Sequence, residues 1–359
     1  MSTTFQPRAE VIHGDCLTVM RGMAAGSVDA VVTDAPYDLA FMGKAWDRSG
    51  VAFDPATWTE VLRVLKPGGH LLAFGGSRTY HRMACAVEDA GFEVRDCLAW
   101  LYGVGFPKSH NLHGEWQGWG TALKPAYEPI ILARKPLSER NVAANVKRWG
   151  TGALNVDGCR IPTDDNLNGG AYTQGASPRW DGTENWRYKR GQAGEFAQPT
   201  GRWPANVALD EEAAAALDEQ SGTRPGMKPR VLQRGLTTGS GIGYGSGSGP
   251  QEAPAGYGDT GGASRFFYTA KADAADRGPG NNHPTVKPTD LMRWLCRLVT
   301  PPGGTILDPF GGSGSTIVAA AMEGFHSIGI EQDEGYCAIA RRRAAAAAQP
   351  RMALFEARG

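Results

Sequence analysis

The stretch "ILDPFGGSGSTIVAAAMEGFHSIGIE", residues 306–331, decides the fold. A short apolar strand pattern ends in Asp308, a tight glycine turn follows, and "IVAAAMEG" reads as a helix. The next strand pattern, "FHSIGIE", ends in a second acid, Glu331, about twenty residues beyond the turn. This is the plan of a nucleotide-type cofactor site in a doubly wound sheet. Glycines let a ligand approach the backbone, and the second acid binds a ribose diol. A dinucleotide fingerprint requires G-x-G-x-x-G, whereas the chain from Gly312 reads G-S-G-S-T-I and lacks the third glycine. A phosphate-gripping loop requires a lysine before its final Ser or Thr, and none is present. An acid directly before the turn would also repel a pyrophosphate, but it suits a cofactor with a positively charged amino-acid end. The plain structural reading is a glycine turn that only packs a helix on a strand.

A second acid at a strand end lies far upstream, in "TDAPYD", residues 33–38. The β-branched run "DAVVTDAPY" stops at a proline, leaving Asp34, Pro36 and Tyr37 where the strand gives out. Around it, residues 10–135 alternate strand and helix patterns. "DPATWTEVLRVLKPGG" has an aspartate cap with proline in the first turn, and "TYHRMACAVEDAG" closes on Gly91. "HLLAFGG", "FEVRDCLAWLY" and "EPIILARKP" read as strands. Residues 283–345 return to the same style, from "HPTVKP" and the helix "TDLMRWLCRLV" to the helix "DEGYCAIARRRAAAAA". Such alternation predicts a mostly parallel sheet with helices on both faces. In an open sheet of this kind, ligands sit outside the carboxyl ends of the strands where strand order reverses. The expectation is that the Asp34 and Asp308 strands are neighbours there.

Residues 136–282 differ. They are rich in glycine, and "GLTTGSGIGYGSGSGP" reads as a flexible loop. "RWDGTENWRYKRG" interleaves basic and aromatic residues, and one short helix is expected at 210–222. The block reads as a variable insertion.

Composition narrows the rest. No apolar run approaches the roughly 18 residues of a membrane span, and the first residues lack a signal-peptide pattern. The six cysteines form no C-x-x-C pair, so neither a disulfide framework nor a zinc site is expected. His110 and His113 have no acid or cysteine at ligand spacing, and no metal is expected. Cytoplasmic localisation is the default. The 37 basic residues balance 37 acidic ones, which argues against a protein that coats nucleic acid but not against one that grips a short site.

Four motifs in a fixed order carry a resemblance. "DAPY" resembles the catalytic (D/N/S)PPY tetrapeptide of S-adenosylmethionine-dependent DNA amino-methyltransferases, which methylate adenine N6 or cytosine N4. "DPFGGSGST" resembles their cofactor loop, "HPTVKP" is similar to the segment before that loop, and "HGDC" resembles the piece that contacts the cofactor's adenine. Catalytic motif first and cofactor loop last is the permuted β-class order, and "FMGKAWD" looks like phage and prophage members. The resemblance covers residues 10–135 and 283–345. It implies a Rossmann-like methyltransferase fold in which 136–282 is a target-recognition region.

The resemblance also implies roles, position by position. Asp308 lies by the methionine amino end of S-adenosyl-L-methionine, with Phe310, Gly312 and Gly314 shaping that pocket. Glu331 takes the ribose hydroxyls, Asp15 accepts from the adenine amino group, and Cys16 offers its backbone N–H. His283, Thr285 and Lys287 fix the segment over the cofactor carboxylate. The plainer readings are that Asp15 caps a helix and Lys287 is a solvated turn residue. In the tetrapeptide, the Asp34 carboxylate and the Ala35 carbonyl hold the two amino hydrogens, Pro36 stiffens the turn, and Tyr37 stacks on a base flipped out of the duplex. Ala35 departs from the family's proline, which keeps the carbonyl but removes the φ restriction. Arg179, Trp180, Trp186, Arg187, Lys189 and Arg190 are the expected contacts to double-stranded DNA. Adenine N6 is favoured because the tetrapeptide begins with Asp. Cytosine N4 and a catalytically weak or dead DNA-binding module stay open as alternatives, as does an RNA substrate. A homodimer and a cognate restriction endonuclease fit the family, and the sequence selects neither.

Overall fold

In the computed structural model, side chains are described for residues 7–39, 49–105, 109–164, 167, 199–225, 259–271 and 276–348. Backbone alone is described for 178–180, 186–188, 231–232, 251–252, 274–275 and 349–356. "FMGKAWD" and "GLTTGSGIGYGSGSGP" lie outside the described residues. The chain divides into two compact units, one of Met1–Cys159, Pro204–Ala216 and Phe267–Gly359, the other of Arg160–Trp203 and Leu217–Phe266.

The first unit is built on a nine-stranded sheet. Its strands are β1 (Ala9–His13), β2 (Val28–Asp34), β3 (Leu65–Phe74), β4 (Glu93–Leu101) and β5 (Tyr127–Arg134). They continue with β6 (Val207–Asp210), β7 (Tyr268–Ala270), β8 (Thr305–Asp308) and β9 (His326–Glu331). Their order is β1-β9-β8-β2-β3-β5-β4-β6-β7. Every pairing is parallel except the two made by β5, which runs against both β3 and β4. The helices are α1 (Cys16–Gly22), α2 (Pro55–Val64), α3 (Tyr80–Asp89), α4 (Val142–Trp149), α5 (Glu211–Ser221), α6 (Thr289–Val299), α7 (Ser315–Glu323) and α8 (Glu334–Glu356). None of the described helices is long and apolar enough to cross a membrane.

Local chemistry sets the boundaries. Asp54 accepts the Ala56 N–H at 2.9 Å and Pro55 opens the first turn of α2. α3 runs out just before Gly91, whose φ of +101° suits no other residue well. β2 is buried from Val28 to Thr33, as a strand covered on both faces must be. Alternate residues of the central strands feed two separate cores. On one face Ala30, Val32, Leu72, Phe74 and Ile306 pack with Leu291, Trp294 and Leu295 of α6 and Ala319 and Ala320 of α7. On the other, Val31, Leu71, Ala73 and Leu307 pack with Met20 of α1, Trp58 and Val61 of α2, and Met83 and Val87 of α3. The expected α/β, doubly wound, mostly parallel sheet is therefore present.

Strand order reverses between β2 and β8. The strand after β2 lies on one side of the pair and the strand after β8 on the other. The two strands are in parallel register, Ile306 opposite Ala30 and Leu307 opposite Val31, so Asp34 and Asp308 end neighbouring strands as expected. Asp29 fixes the opposite end of this pair. It is 5% exposed, its Oδ1 meets Lys66 Nζ at 2.6 Å, and its Oδ2 accepts the Thr305 N–H at 2.8 Å.

Three features were not foreseen. Residues 136–282 contribute β6 and β7 to the main sheet, as well as the expected helix α5. They also form α4, capped by Asn141 on the Ala144 N–H at 2.9 Å and ended by Gly150 at φ +78°. The direction of β5 could not be read from its apolar run.

Replacing Asp29 with alanine removes a charged partner for both Lys66 and the Thr305 N–H. The expected loss is about 1–3 kcal/mol, read as a lower urea midpoint with an unchanged slope. An unshifted midpoint would mean that the β2–β8 register holds without it.

Candidate active site

Four strand ends lie side by side at the carboxyl edge, in the order β1, β9, β8, β2. They bring Asp15, just past β1, into line with Glu331, Asp308 and Asp34. The row is fixed by backbone pairing: His13 is opposite Glu331, and Gly14 N–H donates to the Glu331 carbonyl at 2.9 Å.

Asp308 is 3% exposed. Its Oδ1 accepts the Thr33 hydroxyl at 2.6 Å and the Phe310 N–H at 3.1 Å, and Thr316 also hydrogen-bonds to it. All of these partners are neutral. Burial consequently pushes the Asp308 carboxyl up to about 6, with the hydrogen bonds only partly opposing it. The glycine turn after it is tight. Gly312 sits at φ +49° and Gly314 at φ +86°. A Cβ on Gly314 would come within 2.9 Å of Ala340 Cβ, so this glycine is demanded by the close approach of α8. Phe310 packs edge-on to Trp58 at 6.4 Å.

Glu331 closes the turn from below: its Oε2 accepts the Gly312 N–H and its Oε1 the Asp333 N–H, both at 2.8 Å. Burial raises its carboxyl above the usual range. Asp15 caps α1 by accepting the Thr18 N–H at 2.9 Å, and its side chain is exposed. The Cys16 thiol beside it is buried and pushed up to about 11. His283 is brought to the turn as well. A Cβ on Gly312 would lie 3.1 Å from its Nε2, its ring packs on Tyr336 at 4.6 Å, and its Nδ1–H donates to the Thr285 carbonyl at 2.5 Å. Burial lowers its pKa and favours the neutral ring. Asn281 ties this segment to the turn through a 3.1 Å hydrogen bond to Ser313.

The tetrapeptide follows directly at the end of β2. Ala35 is buried, Pro36 and Tyr37 are half-buried, and the Tyr37 carbonyl accepts the Thr79 hydroxyl at 2.9 Å. Asp38, just beyond, holds a left-handed φ of +55°, the one such non-glycine residue among those described. Lys287, placed by resemblance in the cofactor segment, reaches the tetrapeptide. Its ammonium lies 2.8 Å from Asp34 Oδ2, 3.1 Å from Glu128 Oε2 and 3.2 Å from the Tyr37 hydroxyl. The Tyr37 hydroxyl is 2.9 Å from Asp34 Oδ1 and 3.0 Å from Glu128 Oε2. Burial alone would lower the Lys287 pKa, but the two carboxylates outweigh it and raise it. Burial, then Asp34 and Glu128, hold the Tyr37 phenol well above its ordinary value, so it stays protonated.

Glu128 was missed in the sequence. It sits at the start of "EPIILARKP", and only because β5 is antiparallel does that start lie at the carboxyl edge of its neighbours. Of the residues expected to touch DNA, Arg179 and Trp180 pair with Arg187 and Trp186 across two short antiparallel strands in the second unit. Lys189 and Arg190 lie outside the described residues.

A glycine turn and a row of acids thus lie at the switch point of a doubly wound sheet, the place where such sheets bind their ligands. The chain belongs to the N6/N4 DNA methylase family, whose model, described as "DNA methylase", matches residues 28–342. The type II methyltransferase M.HindIII of Haemophilus influenzae is 23% identical over 304 residues, 80% of this chain and 67% of that protein. The putative methylase YubD of Escherichia coli is 46% identical over 65 residues, 18% of this chain and 29% of that one. Among solved structures, PvuII DNA methyltransferase (cytosine-N4-specific) is similar at 14% identity and a TM-score of 0.49, over 94% of this chain and 87% of that one. A putative DNA modification methylase from Thermus thermophilus is similar at 17% identity and a TM-score of 0.46, over 95% and 96%.

The Asp308 carboxyl gives a pH signature. A carboxyl whose folded pKa lies near 6, above its unfolded value of 3.8, stabilises the fold while protonated, and that contribution is lost as pH rises through about 6. Relative to Asp308→Asn, the unmodified chain should lose about 2 kcal/mol between pH 4.5 and 7. Urea midpoints of the two proteins across that range test this. Parallel profiles would mean that Asp308 titrates as an ordinary carboxyl.

Proposed function

We propose that the chain transfers a methyl group from S-adenosyl-L-methionine to the exocyclic N6 of an adenine flipped out of double-stranded DNA. The observation that carries this is the juxtaposition of two acids on neighbouring strands, Asp308 behind the glycine turn and Asp34 in the tetrapeptide, linked through the 2.6 Å Thr33–Asp308 hydrogen bond.

The residues fit the cofactor. Asp308 is a buried carboxyl with only neutral partners, an environment that favours an incoming ammonium group. Glu331 retains lone pairs on both oxygens for the ribose hydroxyls while it holds the Gly312 and Asp333 amides. Asp15 and Cys16 would meet the cofactor's adenine, Phe310, Gly312 and Gly314 would shape the floor, and His283 and Thr285, which lie beside the turn, would border the carboxylate end. Bound there, S-adenosylmethionine supplies a methyl group on a sulfonium that departs as a neutral thioether.

The tetrapeptide supplies the rest. An exocyclic amino group is a poor nucleophile because its lone pair is delocalised into the ring. The Asp34 carboxylate and the Ala35 carbonyl accept its two hydrogens and favour a more tetrahedral nitrogen, with the lone pair aimed out of plane. Positive charge then grows on that nitrogen, and a fixed carboxylate is most valuable at that moment. The extra proton passes to Asp34 or to water. The Tyr37 ring gives the flipped base a flat face. Arg179, Trp180, Trp186, Arg187, Lys189 and Arg190 supply phosphate and base contacts from the second unit. Adenine is favoured over cytosine N4 because the tetrapeptide begins with Asp34, an acceptor for both amino groups but the usual partner of adenine.

With saturating cofactor and DNA, Asp34→Ala should slow single-turnover methyl transfer about 100- to 1,000-fold, or ~3–4 kcal/mol. Nucleoside mass spectrometry of the product should show N6-methyladenine. A wild-type rate for Asp34→Ala would make Asp34 a mere strand-end residue, and N4-methylcytosine would replace the adenine reading.

A further inference from the structure

Tyr37 has a single hydroxyl hydrogen and two carboxylates to give it to. Asp34 Oδ1 is 2.9 Å away and Glu128 Oε2 is 3.0 Å away, so the two acceptors are nearly equivalent in distance. Lys287 has three hydrogens and three acceptors: Asp34 Oδ2, Glu128 Oε2 and the Tyr37 oxygen itself. Glu128 thus shares both partners of Asp34. Its own position is stiff, because it lies in β5, paired to Trp100 of β4.

The arrangement meets a difficulty in the proposed reaction. While Tyr37 donates to Asp34, one of the two Asp34 oxygens is engaged by the phenol and the other by Lys287. Asp34 Oδ1 keeps a second lone pair, but a phenol already donating to it draws on the same negative charge, so the base's amino hydrogen is held more weakly there than on an oxygen without the phenol. We propose that Glu128 is a positioning residue that receives the Tyr37 hydrogen when the base arrives, and so releases Asp34 Oδ1 to the amino group. The change is a rotation about the Tyr37 C–O bond. No covalent bond forms or breaks, the ring stays in place to stack on the base, and the phenol keeps a charged acceptor throughout. Lys287 bridges both carboxylates before and after, and both stay within hydrogen-bond distance of the phenol. The phenol cannot meet the need by ionising, since its pKa is held well above the ordinary value.

This inference rests on the amino-methyltransferase reading, and the experiment separates the two. Single-turnover methyl transfer to DNA is measured for the unmodified protein, Glu128→Gln, Tyr37→Phe and the double variant, alongside cofactor and DNA dissociation constants. Glu128→Gln should slow transfer roughly 10- to 100-fold, the worth of a hydrogen bond to a charged acceptor, with both dissociation constants within about twofold of the unmodified protein. The Tyr37→Phe background has no phenolic hydrogen to relocate, so adding Glu128→Gln to it should cost almost nothing more. A multiplicative loss in the double variant would show that Glu128 acts only by supporting Lys287, and would overturn the proposal. So would transfer by Glu128→Gln at the unmodified rate. A Glu128→Gln protein that melts well below the others is replaced by Glu128→Asp, which keeps the charge but withdraws it from Tyr37 and should show the same non-additivity. If the unmodified protein methylates no DNA, the function reading fails and this inference falls with it.

Discussion

The hydrogen bond from the Thr33 hydroxyl to Asp308 joins residues 275 positions apart in sequence and ties the acid of the glycine turn to the strand that ends in the tetrapeptide. It exists because β8 inserts beside β2 in parallel register, which in turn requires apolar cover on both faces of each strand. Asp29 performs the matching task at the other end of the pair, with Lys66 and the Thr305 amide as its partners. Between these two polar anchors the strands are entirely apolar: Ala30, Val31, Val32, Ile306 and Leu307 are all fully buried. The relative height of Asp34 and Asp308 is therefore set by a rigid, close-packed element rather than by loops.

The same packing gives the two acids opposite electrostatic characters. Asp308 is buried among neutral donors and resists ionisation, surroundings that favour pairing with a cationic group. Asp34 sits in a cluster where one ammonium is shared by two carboxylates and a phenol. That cluster carries one net negative charge spread over two carboxylates, which in the proposed reaction suits the hydrogens of a neutral amino group. In the proposed reaction, two carboxylates on adjacent strands thus meet two different ligands, one charged and one neutral, through the difference in their surroundings.

Much of this was legible because it is written locally. The "ILDPFGGSGST" turn, the Asp54–Pro55 helix start and the proline-stopped strand at Asp34 are each specified by a few consecutive residues. The pairing of β2 with β8 followed from the general behaviour of doubly wound sheets. Glu128 was hidden because its role depends on the direction of β5, and an apolar strand pattern reads the same in either direction. Lys287 was legible as part of a motif, but its reach to Asp34 depends on a long side chain crossing between distant segments. β6 and β7 span only four and three residues in a glycine-rich region, too few to set up a periodic signal. The helix α4 had an asparagine cap and a terminal glycine to mark it, yet its eight residues carry little periodicity of their own.

The central claim is that Asp308 is a buried carboxyl prepared for a cation. Its most direct test is the number of protons released when S-adenosylmethionine binds, measured by titration calorimetry at pH 5 in buffers of different ionisation enthalpy. A carboxyl at about 6 in the free chain is mostly protonated at that pH and must ionise to pair with an ammonium group. The account predicts release approaching one proton at pH 5, and its disappearance in Asp308→Asn. Binding without proton release, or with the same release in Asp308→Asn, would contradict it.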